Sequence, residues 1–175
     1  MLQCTAGGNM ATALTKEGNA TLHEILREFP YAIYAVGIRG GHSEVNFLIV
    51  SWLTQCSFDP PLIMIAVRRD SHSYDLISEG STFSINLIDK NKQEVAQQLV
   101  KPADRVGDKV EQFDYSDGDI GAPVLRSAFA YIECKVLEIH EPGDHAIVIG
   151  EIATGARRGS GEPLMCSDLH WHYAG

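Results

Sequence analysis

The residues best placed to do chemistry lie between positions 50 and 73. The run Val50-Ser51-Trp52-Leu53-Thr54-Gln55-Cys56-Ser57-Phe58-Asp59-Pro60-Pro61 sets small hydroxyls and a rigid double proline between two apolar runs, 45–53 and 62–67. A strand end of this kind leaves backbone N–H groups pointing into a cleft, while two prolines remove two donors and fix the approach of the next strand. Such a surface suits a flat heteroaromatic ligand whose edge carries carbonyls and ring nitrogens. Immediately after it, Arg68-Arg69-Asp70-Ser71-His72-Ser73 offers a cation and hydroxyls at the start of a short helix, the ingredients of a cradle for one phosphate.

Other chemistries find less support. Cys4, Cys56, Cys134 and Cys166 are widely spaced with no C-x-x-C pair, so neither a zinc site nor a redox dithiol is expected. Reduced thiols in a cytoplasmic protein are the expectation, with Cys56 a packing residue inside the motif. His170 and His172 share one face of an expected strand but lack a third ligand, so no metal site is expected. His145 follows Asp144 at a turn and either closes that turn or serves a site. No Ser-His-Asp set, paired carboxylates or G-x-G-x-x-G run is recognisable.

The chain has 175 residues, with 14 Lys+Arg against 23 Asp+Glu and a net charge of −9, the wrong sign for a nucleic-acid partner. The charge divides as −1 over residues 1–38, −1 over 39–109 and −7 over 110–175, so the phosphate-cradle segment sits in a near-neutral stretch. The longest apolar candidate, 45–54, is broken by Asn46 and Ser51 and falls short of the roughly 18 residues a membrane span needs. Residues 1–15 lack a basic n-region and a continuous apolar h-region, so secretion is not expected, and Asn19-Ala20-Thr21 reads as a chance acceptor match.

The elements that must position these groups follow from periodicity. Residues 1–19 read as a loose arm, which a partner subunit could order, and 20–175 as a single domain. Thr21 and Glu24 have capping-box spacing, and Leu22, Ile25, Leu26 and Phe29 recur at helical spacing, predicting a short helix stopped by Pro30. A hairpin over 31–38 and 45–53 turns at 39–42, and a strand over 62–67 follows a turn at 57–61. Ser71 caps a helix through Ile77, 82–87 is a strand, 90–100 an amphipathic helix, and 101–121 an irregular excursion. Strands over 128–140 and 145–153 flank the turn 141–144, and a short strand is expected at 169–173. Hairpin-linked strands with few helices predict a mainly β fold, an antiparallel barrel with peripheral helices.

On these residues the chain resembles the flavin reductase-like family of FMN-binding split barrels. Besides the 50–61 motif, Phe83-Ser84-Ile85-Asn86-Leu87 is similar to the family's F-x-V-N-x-L strand, and Gly143-Asp144-His145 leading to Ile149-Gly150-Glu151-Ile152 to its G-D-H-x-x-x-x-G-E-V strand. The likeness covers about residues 22–173, and the S-W-x-x-Q-x-S-F run also resembles the C-terminal flavin reductase module of photosynthetic flavodiiron proteins.

The resemblance implies an antiparallel split barrel with FMN, or FAD in its place, across the barrel mouth of a homodimer. Val50, Ser51, Trp52, Thr54 and Gln55 would then meet the isoalloxazine and ribityl chain, Arg69, Ser71 and Ser73 the phosphate, and Asn86 would join the cofactor-binding set. His145 would face the nicotinamide. Ile49 stands where many members have Thr, so one ribityl or phosphate hydrogen bond would be either lost or supplied by Ser51. The activity implied is an NAD(P)H-dependent flavin reductase, with NADH or NADPH passing hydride to flavin N5 and reduced flavin available to an oxygenase partner. The alternative is a non-enzymatic FMN-binding electron carrier; haem binding on a similar barrel is disfavoured.

Overall fold

The computed structural model describes residues 16–40, 44–79, 82–100 and 113–171. A first helix, α1 (Lys16–Arg27), is followed by strands β1 (Tyr34–Arg39), β2 (Val45–Val50), β3 (Leu53–Phe58) and β4 (Pro61–Arg68). Next come α2 (His72–Glu79), β5 (Thr82–Leu87), α3 (Gln93–Val100), the short strands β6 (Tyr115–Asp117) and β7 (Pro123–Leu125), then β8 (Ala130–His140) and β9 (His145–Arg157). A 3-10 turn at Cys166–Leu169 follows, two residues before the described chain ends at Trp171. No helix among the described residues is long and apolar enough to cross a membrane.

Seven strands form one antiparallel sheet in the order β2-β1-β5-β8-β9-β4-β3, with β6 and β7 paired separately. The first and last strands of that order are consecutive in the chain, joined by Ser51 and Trp52 alone. Three peptide steps span at most about 11 Å, so the sheet curls until its two edges nearly meet. They do not pair with each other, and the gap between them falls at the motif singled out above.

Strand alternation sends side chains to two cores. Inside the curl, Val36, Ile38, Val50, Ile65, Val67, Phe83, Ile85 and Val148 pack with Leu76 and Ile77 of α2. On the other face Ala35, Val45, Phe47, Ala96, Leu99, Leu125, Leu164 and Cys166 pack under α3, β7 and the C-terminal segment. β7 lies unusually close to β1: a Cβ on Gly37 would sit 2.1 Å from the Pro123 carbonyl oxygen, so only glycine fits there.

Several expectations need correcting. Helix α1 starts by Lys16, so residues 16–19 belong to it rather than to the arm, and Thr21 lies inside the helix. Its expected apolar face is not covered: Ile25 is 54% and Phe29 56% exposed. The run 45–53 breaks at residues 51–52, and the segment read as motif and turn is itself strand β3, with a bulge between Gln55 and Ser57. Its mostly exposed residues lack the alternation that marks a half-buried strand. Leu169 closes the 3-10 turn and His170 lies in the left-handed region at φ 52°, so neither is in the strand expected from 169; residues 172–173, and with them the place of His172 on that expected face, lie outside the described residues.

Candidate flavin site

At the dipeptide between the two sheet edges lie two clefts that share a wall of Ser51, Trp52, Ala66 and His145. The first, of about 690 Å³, runs along β2 from Asn46 to Val50 and past Arg68, Ser71 and Ser73, with His170 and Trp171 on its far side. The second, of about 900 Å³, is bordered by Tyr31, Tyr34, Thr54, Met64 and the turn 142–144. Both volumes fall in the range of small-molecule sites.

The shared wall is held from both sides. The Ala66 N–H donates to the Trp52 carbonyl at 3.0 Å, which fastens the dipeptide between the sheet edges to β4. The Trp52 indole and His145 imidazole lie 4.8 Å apart at 50°. β9 begins at His145, opposite Arg68 in the β4–β9 register. The imidazole Nδ1 is 2.9 Å from Asp144 Oδ1, and this hydrogen bond holds the Asp144 carboxyl below the usual carboxylate range. His145 therefore both closes its turn and faces the clefts.

The start of α2 lines the smaller cleft through Ser71 and Ser73. Ser71 caps it as expected: its Oγ accepts the Tyr74 N–H at 3.2 Å and donates to the Arg68 carbonyl at 2.6 Å. That hydroxyl is therefore spent on the helix. Ser73 is only 8% exposed, and its Oγ accepts from Asn46 Nδ2 at 2.9 Å. Among the described residues no acceptor takes the Ser73 hydroxyl proton. His72 and Ser73 are also the first two residues of α2, whose N–H groups no intrahelical carbonyl takes. An anion here would thus meet a hydroxyl proton, two N–H groups and the positive end of the helix dipole, with Arg68, hydrogen-bonded to Asp70 at 2.9 Å, on the rim.

The expected site residues divide. Val50, Ser51, Trp52, Ser71, Ser73 and His145 line the smaller cleft, and Thr54 lines the larger. Gln55 is exposed on β3 and donates to the Ser57 carbonyl at 3.1 Å, lining neither cleft. Arg69 also lines neither; its guanidinium donates to the Gly143 carbonyl at 3.2 Å and pairs with Glu141 at 2.9 Å. Asn86 is placed elsewhere altogether. It is fully buried on β5, donating to the Ala35 carbonyl at 3.0 Å and to Ser84 Oγ at 2.8 Å and accepting from the Leu125 N–H at 2.9 Å. It ties β7 to the sheet because every polar atom it has finds a partner inside the protein. Sequence reasoning missed Asn46, whose signal was a lone amide interrupting an apolar run, and Ala66, His170 and Trp171, which carried none.

The flavin reductase-like domain model matches residues 26–174. The chain belongs to that family. Among its relatives an NADH-dependent FAD reductase of Streptomyces globisporus is 28% identical over 83% of this chain and 80% of its own. A solved structure of NADH:FAD oxidoreductase from Streptomyces globisporus, in complex with NAD and FAD fragments, superposes with a TM-score of 0.75 at 27% identity, covering 89% of this chain and 92% of the other. The reductase subunit of a flavin-dependent monooxygenase from Mycobacterium tuberculosis is 25% identical over 75% of this chain and 68% of its own. For this flavin reductase-like chain the mainly β, antiparallel fold expected from sequence is the fold observed.

Proposed function

We propose that this chain is an NAD(P)H-dependent flavin reductase in which FMN, or FAD in its place, occupies the smaller cleft and the nicotinamide the larger. The observation that carries the reading is the pair of clefts meeting at one wall, one of them lined by a helix start and a hydroxyl proton that no acceptor among the described residues takes. A bound flavin supplies the redox chemistry by accepting hydride from the reduced nicotinamide. The chain's part is placement. Ser73 and the first N–H groups of α2 hold the phosphate. Val50, Ser51 and Trp52 present strand-end backbone to the ring system, and His145 and Thr54 border the nicotinamide side. A residue donating a proton to a leaving group is not needed, so the His145–Asp144 pair at this wall carries no required proton-transfer step in the reaction.

The named relatives, an NADH-dependent FAD reductase and a monooxygenase reductase subunit, support the same class and the delivery of reduced flavin to an oxygenase. The exposed Leu22, Ile25 and Phe29 of α1 support a homodimer, since a second copy would cover them. Mixing the purified chain with FMN or FAD and NADH or NADPH, and following the near-ultraviolet nicotinamide absorbance, tests the activity. Oxidation above a protein-free control is expected with at least one combination. Tight flavin retention without turnover under any combination would instead identify an electron carrier.

A further inference from the structure

A network centred on Glu141, Arg69 and Tyr74, none of which lines either cleft, ties the two together. Glu141, in the turn between β8 and β9, accepts a hydrogen bond from the Tyr74 hydroxyl with one carboxylate oxygen and pairs with Arg69 through the other at 2.9 Å. The same Arg69 donates to the Gly143 carbonyl at 3.2 Å, and its backbone N–H donates to the Asp144 carbonyl at 3.0 Å. Asp144 in turn holds the His145 imidazole that packs on Trp52. At the other end Tyr74 directly follows Ser73, its N–H is held by the Ser71 hydroxyl, and its ring packs on the interior core. One path of contacts therefore runs from the phosphate end of α2 to the wall shared by the clefts.

The Arg69–Glu141 pair is nearly half exposed on both sides, so it adds little to stability. Its geometry is more informative than its energy. Both donors that reach Glu141 come from the segment 69–74, which also carries the phosphate cradle, and both main-chain acceptors that Arg69 takes lie in the turn leading to His145. The hydrogen bond to Glu141 also raises the Tyr74 hydroxyl above its ordinary pKa, keeping it a donor.

We propose that Glu141, gripped by Tyr74 and Arg69, is a positioning residue for flavin reduction: it fixes the 141–144 turn so that His145 stays against Trp52, and Arg69 serves that turn rather than the phosphate. This rests on the reductase reading above. Displacement of a positioned group by as little as an ångström can cost up to about a hundredfold in rate.

The test uses the full chain with FMN and the reduced nicotinamide that the wild type oxidises. Tyr74→Phe keeps the packed ring and removes one grip; Glu141→Ala removes both; Glu141→Gln keeps an acceptor for Tyr74. Expected is a rise of about tenfold in KM for nicotinamide or a matching fall in kcat for Glu141→Ala. Smaller changes are expected for Tyr74→Phe and Glu141→Gln, with FMN affinity, read from flavin fluorescence quenching, unchanged within about twofold in all three. Arg69→Leu should follow Glu141→Ala and weaken FMN and riboflavin binding equally if at all. Kinetic constants unchanged in Glu141→Ala, with only the melting temperature lowered, would overturn the inference by showing a purely structural contact. So would an Arg69→Leu variant that loses FMN affinity but keeps riboflavin affinity, since Arg69 would then hold the phosphate. A wild type that oxidises no nicotinamide with either flavin overturns the reductase reading itself, and this inference with it.

Discussion

Two asparagine–serine pairs of nearly identical geometry sit in this barrel and have opposite fates. Asn86 Nδ2 donates to Ser84 Oγ at 2.8 Å, and Asn46 Nδ2 donates to Ser73 Oγ at 2.9 Å. In the first pair the chain of donors closes: Ser84 passes its proton to the Pro123 carbonyl, and Asn86 accepts the Leu125 N–H. In the second the Ser73 proton finds no acceptor among the described residues, and the pair lines a cleft. The comparison teaches that a buried polar group speaks for a ligand through its leftover hydrogen-bonding capacity, not through its residue type.

The largest expected effect is on the closed pair. Asn86→Ala leaves the buried Leu125 N–H without an acceptor and should cost about 3 kcal/mol, lowering the melting temperature by roughly 6–12 °C. Flavin affinity of the folded protein should not change, and thermal unfolding with flavin titration measures both. An intact melting temperature with lost flavin binding would break the contrast and return Asn86 to the site.

The open pair should respond in the opposite sense. Ser73→Ala removes a charge-assisted donor worth about 1.5–3 kcal/mol, so FMN affinity should fall about tenfold to a hundredfold while riboflavin affinity stays within about twofold. The melting temperature should hardly move. Ser84→Ala should leave the FMN-to-riboflavin ratio untouched, and a drop in that ratio would dissolve the distinction.

A smaller effect carries the contrast to the thiols. Cys134 lies in the interior core, where burial, with the neighbouring Glu133 carboxylate adding to it, pushes its thiol up to about 12. The unfolded chain ionises this thiol near its ordinary value, so it binds fewer protons than the folded chain above that pH. Stability should therefore fall as pH rises from about 9, by up to about 1.4 kcal/mol per unit from this group, and Cys134→Ala should flatten the slope in chemical denaturation. A slope unchanged in Cys134→Ala would remove Cys134 as its source.

The smallest effect concerns Cys56, which occupies the exposed bulge of β3. A thiol reagent at neutral pH should modify Cys56 while Cys134 and Cys166 stay protected, with little change in stability. Protection of Cys56 in solution would mean that β3 is covered, as an association of two copies at this edge would do.

Much of the fold was legible in residue order. The alternation of Thr82–Leu87 located β5 to the residue, and the turn residues at 141–144 separated β8 from β9. Strand β3 escaped because an edge strand with few buried positions carries no period, and β6 and β7 because three residues are too few to show one. Of the cleft-lining residues, Ser71 and Ser73 could be named from their residue types at a helix start, and Trp52 and His145 from the family resemblance, whereas Gln55, Arg69 and Asn86, assigned by the same resemblance, stand outside both clefts.

Local order thus determined the elements, the antiparallel class and the kinds of group on offer, because periodicity and turn chemistry act over a few residues. Only the folded chain decided which groups remain available. Asn86 is saturated by Leu125, 39 positions away, and Ser73 is steered by Asn46, 27 positions back, through contacts that exist only once β7 has docked on β5 and α2 has wedged beside β2. A hydrogen-bond partner that far along the chain leaves no mark on the residues around its mate, so the difference between a saturated polar pair and an open one arises with the tertiary structure.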